Sequence, residues 1–347
     1  MKNTFVDEFK RVFPQILLAG LITGCFTFLA FQGASIVFIM GFLIGIQSYF
    51  YILIYSHFLH PVIRQKNFFL VLLINTLANV VLILLAVFVS TIIINRFNFH
   101  DVFINFNQIL SSDTIVYGMI FGLVLSFSFN SYSMFETLLG KNFLLKLFTG
   151  RYHTPFEEER IFMFLDLTSS THFAEKLGHK KFLSLLNDFF YDLTEPVSVT
   201  HGEIYKYVGD QAIITWKMKW GLKNENPLRC FFLLHEKIER NKALYQKKYG
   251  VVPQFKAGLH GGTVVTGEMG FIKKEIAYLG DVLNTTSRME SSCNQFGKNL
   301  LVSDWLIEKM KPGEDYVVQP LGEISFRGKE KPVNISSVEI KKINLTP

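Results

Sequence analysis

The chain has 347 residues, 49% of them hydrophobic and only 18% charged, with a formal net charge of +6. That balance is too apolar for a wholly soluble enzyme, although the length allows two domains. The absence of a long Lys/Arg run argues against a nucleic-acid surface, and three scattered cysteines (Cys25, Cys230 and Cys293) offer neither a disulfide framework nor a metal-ligand spacing.

The apolar excess is concentrated between about residues 13 and 136. Four runs there, near 13–31, 35–56, 68–94 and 114–136, are long enough at roughly 20 residues each to cross a hydrocarbon core as helices. Lys2, Lys10 and Arg11 precede the first run, Arg64 and Lys66 follow the second, and Lys141, Lys146 and Arg151 follow the fourth. Cations on one side predict a multi-pass protein of the cell (inner) membrane with both termini cytoplasmic. The length of the first run and the three that follow it argue against a cleaved signal peptide. Nearly charge-free spans argue against an ion or substrate pathway. Gln47, Asn75 and Asn79 read instead as interhelical hydrogen-bonding groups, with membrane lipid as the expected surrounding.

After the fourth run, Leu138, Leu139, Phe143, Leu144, Leu147 and Phe148 recur at helical spacing until Gly150 and Pro155 interrupt them. The expected organisation is therefore a membrane domain over 1–140, a coupling linker over 141–160 and a soluble domain over 161–340. In the last, IFMFLDL reads as a strand and the stretch from Thr168 through Leu186 as a helix. HGEIYKYVGDQAIITWK reads as two strands around Gly209-Asp210, and 227–249 as a second helix. FKAGLHGGTVVTGEMG reads as a strand hairpin, 281–296 as a third helix, and the segment around PLGEISFRGKEKPVNISSVEI as a final strand pair. Strands alternating with helices predict a sheet covered by helices.

Asp166 in FLDLTSST ends a β-type run beside small residues that open a helix, where backbone N–H groups can cradle a phosphate. Asp210 follows Gly209 in a tight turn, which places a second carboxylate beside the first if the strands are neighbours. Paired carboxylates are what divalent ions over a triphosphate require.

With the later motif YLGDVLNTTSRMES, these segments resemble the class III adenylyl and guanylyl cyclases, over Ile161 to Glu339. The four apolar runs predict an all-α membrane domain of four transmembrane helices, and the resemblance implies that an α+β cyclase domain with a ferredoxin-like βαββαβ core and extra strands follows it. It implies Asp166 and Asp210 as ligands of two Mg²⁺ or Mn²⁺ ions per site. Asn284 would orient the ribose, and Arg288 would neutralise charge developing on the α-phosphate. Lys206, four residues before Asp210, matches the adenine-reading lysine and implies ATP as substrate and cyclic AMP as product. Because one cyclase domain carries both residue sets, the resemblance implies a homodimer with two shared sites. His260 is expected to be packed rather than catalytic.

Three positions depart from the family pattern. Ala277 stands where a second base-reading Asp or Thr is usual, Lys256 stands for an Arg, and Arg327, with Lys329 nearby, stands for a late phosphate-binding Lys. Ala277 keeps open a cyclase for GTP or a pyrimidine triphosphate; a separate alternative is a non-catalytic membrane signalling module, in which a decayed cyclase fold only dimerises. The downstream cyclic-nucleotide receptor is not legible in the sequence.

Overall fold

The computed structural model describes residues 150, 152–272, 274–325 and 332–341, the helix α1 (Phe68–Ile94), and scattered single positions elsewhere in the first 131 residues. The chain divides into two compact units, Met1–Leu139 and Gly140–Pro347.

In the first unit, α1 is an unbroken 27-residue helix, FFLVLLINTLANVVLILLAVFVSTIII, without an Asp, Glu, Lys or Arg. Over the described residues alone, no helix is long and apolar enough to cross a membrane. The backbone of α1, at about 1.5 Å per residue, is nonetheless longer than a hydrocarbon core is thick. The other three expected spans and the helical continuation over 138–148 lie outside the described residues.

The second unit is built on one mixed sheet. Its elements are β1 (Phe156–Leu167), α2 (Ser170–Leu177), α3 (His179–Val199), β2 (Glu203–Val208), β3 (Gln211–Lys217), α4 (Met218–Leu222), α5 (Asn226–Arg240), α6 (Lys242–Tyr249), β4 (Phe255–Met269), β5 (Glu275–Leu279), α7 (Asp281–Phe296), β6 (Leu300–Ser303), α8 (Asp304–Met310), β7 (Tyr316–Ile324) and β8 (Val333–Ile340). The strand order is β2-β3-β1-β4-β6-β8-β7, with β5 paired to the far end of β4. The first four strands and their two helical connections form a ferredoxin-like βαββαβ core. β6, β8 and β7 are the added strands, joined through a parallel β4–β6 pairing.

Alternation along β1 assigns its two faces. Ile161, Met163, Leu165 and Leu167 pack with Leu185, Phe189 and Leu193 of α3 and with α5 in the main core. Phe162 and Phe164 point the other way, into a smaller cluster with Ile213, Val264, Tyr278 and Val282. Asp166 continues that second row, because side chains two apart along a strand share a face.

Several expected elements differ in detail. β1 begins at Phe156, inside the stretch expected as linker. The single helix expected after Thr168 is two, interrupted at Gly178, and the one expected over 227–249 breaks at Asn241. FKAGLHGGTVVTGEMG is one continuous strand, its hairpin partner being β5. Within that strand Gly262 makes room for α7: a Cβ there would lie 2.8 Å from Val282 Cγ2. β6 and α8 escaped notice because four and seven residues carry too little periodicity to register.

Candidate active site

Asp166 is the penultimate residue of β1, opposite Lys256 of β4 in the antiparallel ladder. On the other side of β1, Leu165 stands opposite Ala212 of β3, so the β2–β3 turn arrives beside the end of β1. Gly209 takes φ +64 in that turn, a left-handed conformation available to glycine without a Cβ penalty. The next residue, Asp210, thereby comes close enough to Asp166 for its charge to act on that carboxyl. Burial, then the charges of Asp210 and Glu290, push the Asp166 carboxyl up to about 6, with the Lys256 ammonium opposing them.

Glu290, on α7, is a member of this cluster that the sequence reading missed. It is 4% exposed, its Oε1 lies 2.9 Å from Lys256 Nζ as an ion pair, and its Oε2 accepts from Gln211 Nε2 at 3.3 Å. Lys256 Nζ also lies 3.9 Å from Asp166 Oδ2. Two carboxylates therefore face one ammonium, with Asp210 acting on Asp166 as a third, an excess of negative charge that suits a divalent cation between Asp166 and Asp210. The fit rests on that pair alone: among the described residues no group of three or more His, Cys, Asp or Glu is arranged to hold a metal ion. Helical periodicity could have revealed Glu290, since it falls on the buried stripe of Val282, Thr285, Thr286, Met289 and Cys293.

The helix start expected to cradle a phosphate has an unusual entry. Thr168 N–H donates to Gln254 O at 2.8 Å, and Ser169 adopts φ 60 just before α2. A non-glycine residue held in that region stores strain, the kind found at binding loops.

Lys206 and Ala277 sit elsewhere on the same unit. β2 has a register irregularity between Ile204 and Lys206, which leaves Tyr205 as an extra residue. Such a bulge re-aims neighbouring side chains. Tyr205 meets Tyr278 of β5 edge-on at 4.8 Å, and Lys206 Nζ donates to Glu275 Oε2 of β5 at 2.7 Å. The contact with Glu275 raises the Lys206 pKa. Ala277 is buried and offers no polar side-chain atom. Arg160, 0% exposed, braces this layer: its guanidinium stacks 4.7 Å from the Tyr278 ring, donates to Glu158 Oε1 at 2.9 Å, and lies 3.6 Å from Glu203 Oε2. Neither Arg160 nor Glu275 was singled out in sequence. An apparently ordinary strand arginine and a glutamate two residues from Ala277 gave no signal until β5 folded across the sheet.

Asn284 and Arg288 lie one turn apart on α7, Asn284 exposed and Arg288 half-buried. Among the described residues no ion pair engages the Arg288 guanidinium, which leaves it available to an anion. His260 is structural, as expected: its Nδ1 shares a 2.7 Å hydrogen bond with Ser303 Oγ, and its ring abuts Trp305. Arg327 and Lys329 lie outside the described residues. Cys230 and Cys293 are buried thiols pushed up to about 12 by desolvation, which makes them poor nucleophiles.

Residues 153–337 match the family described as the adenylate and guanylate cyclase catalytic domain. Adenylate cyclase 2 of Rhizobium meliloti (strain 1021) is 38% identical over 201 residues, covering 58% of this chain and 55% of that protein. Adenylate cyclase 1 of the same strain is 26% identical over 207 residues, covering 57% of this chain and 30% of that protein. The chain thus spans about half the length, or less, of these curated relatives. A bacterial light-regulated adenylyl cyclase superposes with a TM-score of 0.55 at 18% identity over 66% of each chain, a likeness of fold. A match across more than half of the chain, on a ferredoxin-like sheet that carries Asp166 and Asp210 together, places this protein in the adenylate and guanylate cyclase catalytic-domain family.

Proposed function

We propose that this protein is an adenylate cyclase that converts ATP to 3′,5′-cyclic AMP and pyrophosphate at a site shared between two copies of the chain. The observation that carries the reading is the Asp166–Asp210 pair, neighbouring carboxyl groups at the end of β1 and in the β2–β3 turn, where burial and then the Asp210 charge push Asp166 up to about 6. A protein keeps such a pair at a cost unless a cation relieves it.

In this reading Asp166 and Asp210 hold two Mg²⁺ or Mn²⁺ ions. When bound, divalent ions supply charge neutralisation for the triphosphate and favour the ionised ribose 3′-oxygen. The 3′-oxygen forms a bond to the α-phosphorus, the α-phosphorus–oxygen bond to pyrophosphate breaks, and the 3′-hydroxyl proton leaves to solvent. Asn284 of the second copy orients the ribose, and Arg288 offsets charge developing on the α-phosphate. Lys206 donates to the adenine ring. The curated relatives named adenylate cyclase support the choice of ATP. The decisive experiment supplies detergent-purified full-length protein with Mn²⁺ and, separately, ATP, GTP, CTP and UTP, and identifies the products. Cyclic AMP as the dominant product is expected; a different cyclic nucleotide, or none, overturns the reading.

We further propose that residues 1–140 anchor the catalytic unit in the cell (inner) membrane, with that unit on the cytoplasmic side. The charge-free 27-residue helix α1 supports this. Membrane fractionation with alkaline washing is the test, and release of the protein into the wash would count against it.

A further inference from the structure

We propose that Glu275 supplies the acceptor half of the nucleobase-reading edge, the role that Ala277 has no atom to perform; the proposal rests on the cyclase reading above. The adenine edge presents two neighbouring groups of opposite character, the N1 acceptor and the exocyclic amino donor. Reading both requires a donor and an acceptor held side by side. Lys206 supplies only donors. Glu275 is fixed 2.7 Å from that ammonium, and its carboxylate supplies only acceptors.

The backbone explains why the acceptor comes from position 275. Strand alternation puts Glu275 and Ala277 on one face of β5, two residues apart, with Ile276 and Tyr278 packed into the opposite cluster. The longer glutamate side chain offsets the displacement along the strand. Two contacts on the Tyr278 ring hold β5 against the sheet: the edge contact with Tyr205 of β2 and the stacked guanidinium of Arg160 of β1. The Lys206 and Glu275 side chains are 43% and 32% exposed, so the pair remains open to a ligand rather than sealed in the core. On base entry, each group exchanges part of its contact with the other for one to the base.

The test compares steady-state turnover of ATP with that of purine riboside 5′-triphosphate, which keeps the ring nitrogen but lacks the amino group. Full-length wild type, Glu275→Ala and Glu275→Gln are assayed in parallel. Wild type is expected to prefer ATP by roughly 10- to 100-fold in kcat/KM, the usual discrimination for a hydrogen bond to a charged group. Glu275→Ala should bring the ratio close to one, chiefly by losing ATP turnover, while Glu275→Gln, whose amide oxygen still accepts, should recover part of it. If Glu275 merely positions Lys206, both nucleotides slow together and the ratio stays high, which overturns the proposal. If wild type makes no cyclic AMP, the ATP reading falls instead. Glu275 is then judged on the nucleotide that is used: its preference over the other three must narrow in Glu275→Ala, and an unchanged preference refutes the role.

Discussion

The Lys256 ammonium lies 2.9 Å from Glu290 and 3.9 Å from Asp166, so one cation from β4 ties the Asp166 end of β1 to the helix that carries Arg288. Lys256, at a position the family resemblance assigns to substrate binding, is thus also a partner of the acidic cluster. Replacing it with Met leaves Asp166, Asp210 and Glu290 without a counter-charge. Loss of one member of a buried charge network costs about 3–5 kcal/mol. Lys256→Met should lower the melting temperature of the metal-free protein sharply, and Mn²⁺ should raise it more in the variant than in wild type. Equal melting curves without metal would refute the clamp.

Asp166 gives a pH dependence of definite sign. Its ordinary value is 3.8 and its folded value about 6, so between those limits the folded state binds more protons than the unfolded state. Stability from this group is present below about pH 4 and is lost as pH rises to about 6, an effect on the order of 3 kcal/mol. Asp166→Asn removes the penalty. At pH 7.5 without metal the variant should therefore melt higher than wild type while having no cyclase activity. Mn²⁺ affinity of wild type should fall below about pH 6 as protons compete, as isothermal titration across pH can show.

The proposed sharing of the site between two copies makes two inactive variants complementary. Asp210→Ala and Arg288→Ala should each abolish turnover without preventing dimer formation, judged by sedimentation in detergent. Co-expressed, half of the dimers pair one variant with the other and regain one intact site of two, so roughly one quarter of wild-type activity should return. No recovery in mixed dimers would place the whole site within one copy.

α7 lies directly on β4 where Gly258 leaves space. A Cβ at that position would fall 2.4 Å from Glu290 N and 2.5 Å from Thr286 O, both backbone atoms that cannot turn aside. Gly258→Ala should cost about 3 kcal/mol by forcing the helix outward. Because Arg288 and Glu290 ride on that helix, turnover should fall further than folding alone accounts for when variants are compared at equal folded fraction.

On the opposite layer, Tyr245 donates to Asp192 Oδ2 at 2.8 Å, and Asn241 donates to the same oxygen at 2.9 Å. One turn earlier on α3, Asp188 accepts from Tyr249 at 2.7 Å and from Lys248 at 2.6 Å. Tyr245→Phe should cost about 1–2 kcal/mol in denaturant unfolding and leave kcat unchanged, since the pair sits among the covering helices. Asp192→Ala strands two donors and should cost more.

Local pattern made much of the catalytic unit legible. The β1 core, the β2–β3 hairpin and α7 follow from period-2 and period-3.6 runs with clear punctuation, and the α7 bounds of Asp281–Phe296 coincide with the expected ones. The breaks at Gly178 and Asn241 were harder to read, because the apolar faces continue in phase across them. The hairpin expected within FKAGLHGGTVVTGEMG is instead one strand, where close packing at Gly262 required the small residue.

By itself the sequence determined the reaction class implied for Asp166, Asp210, Asn284 and Arg288, since each belongs to a local motif whose chemistry depends on residue type and spacing. Only the tertiary structure decided which groups surround them. Asp166 meets Lys256 through strand register, and Glu290 reaches the cluster because α7 lies across β4. Glu275 reaches Lys206 because β5 folds over the sheet, braced by Arg160 and Tyr278. Those partners are dozens of residues apart, and pairings over such distances are set by packing, which leaves no periodic trace in a single chain.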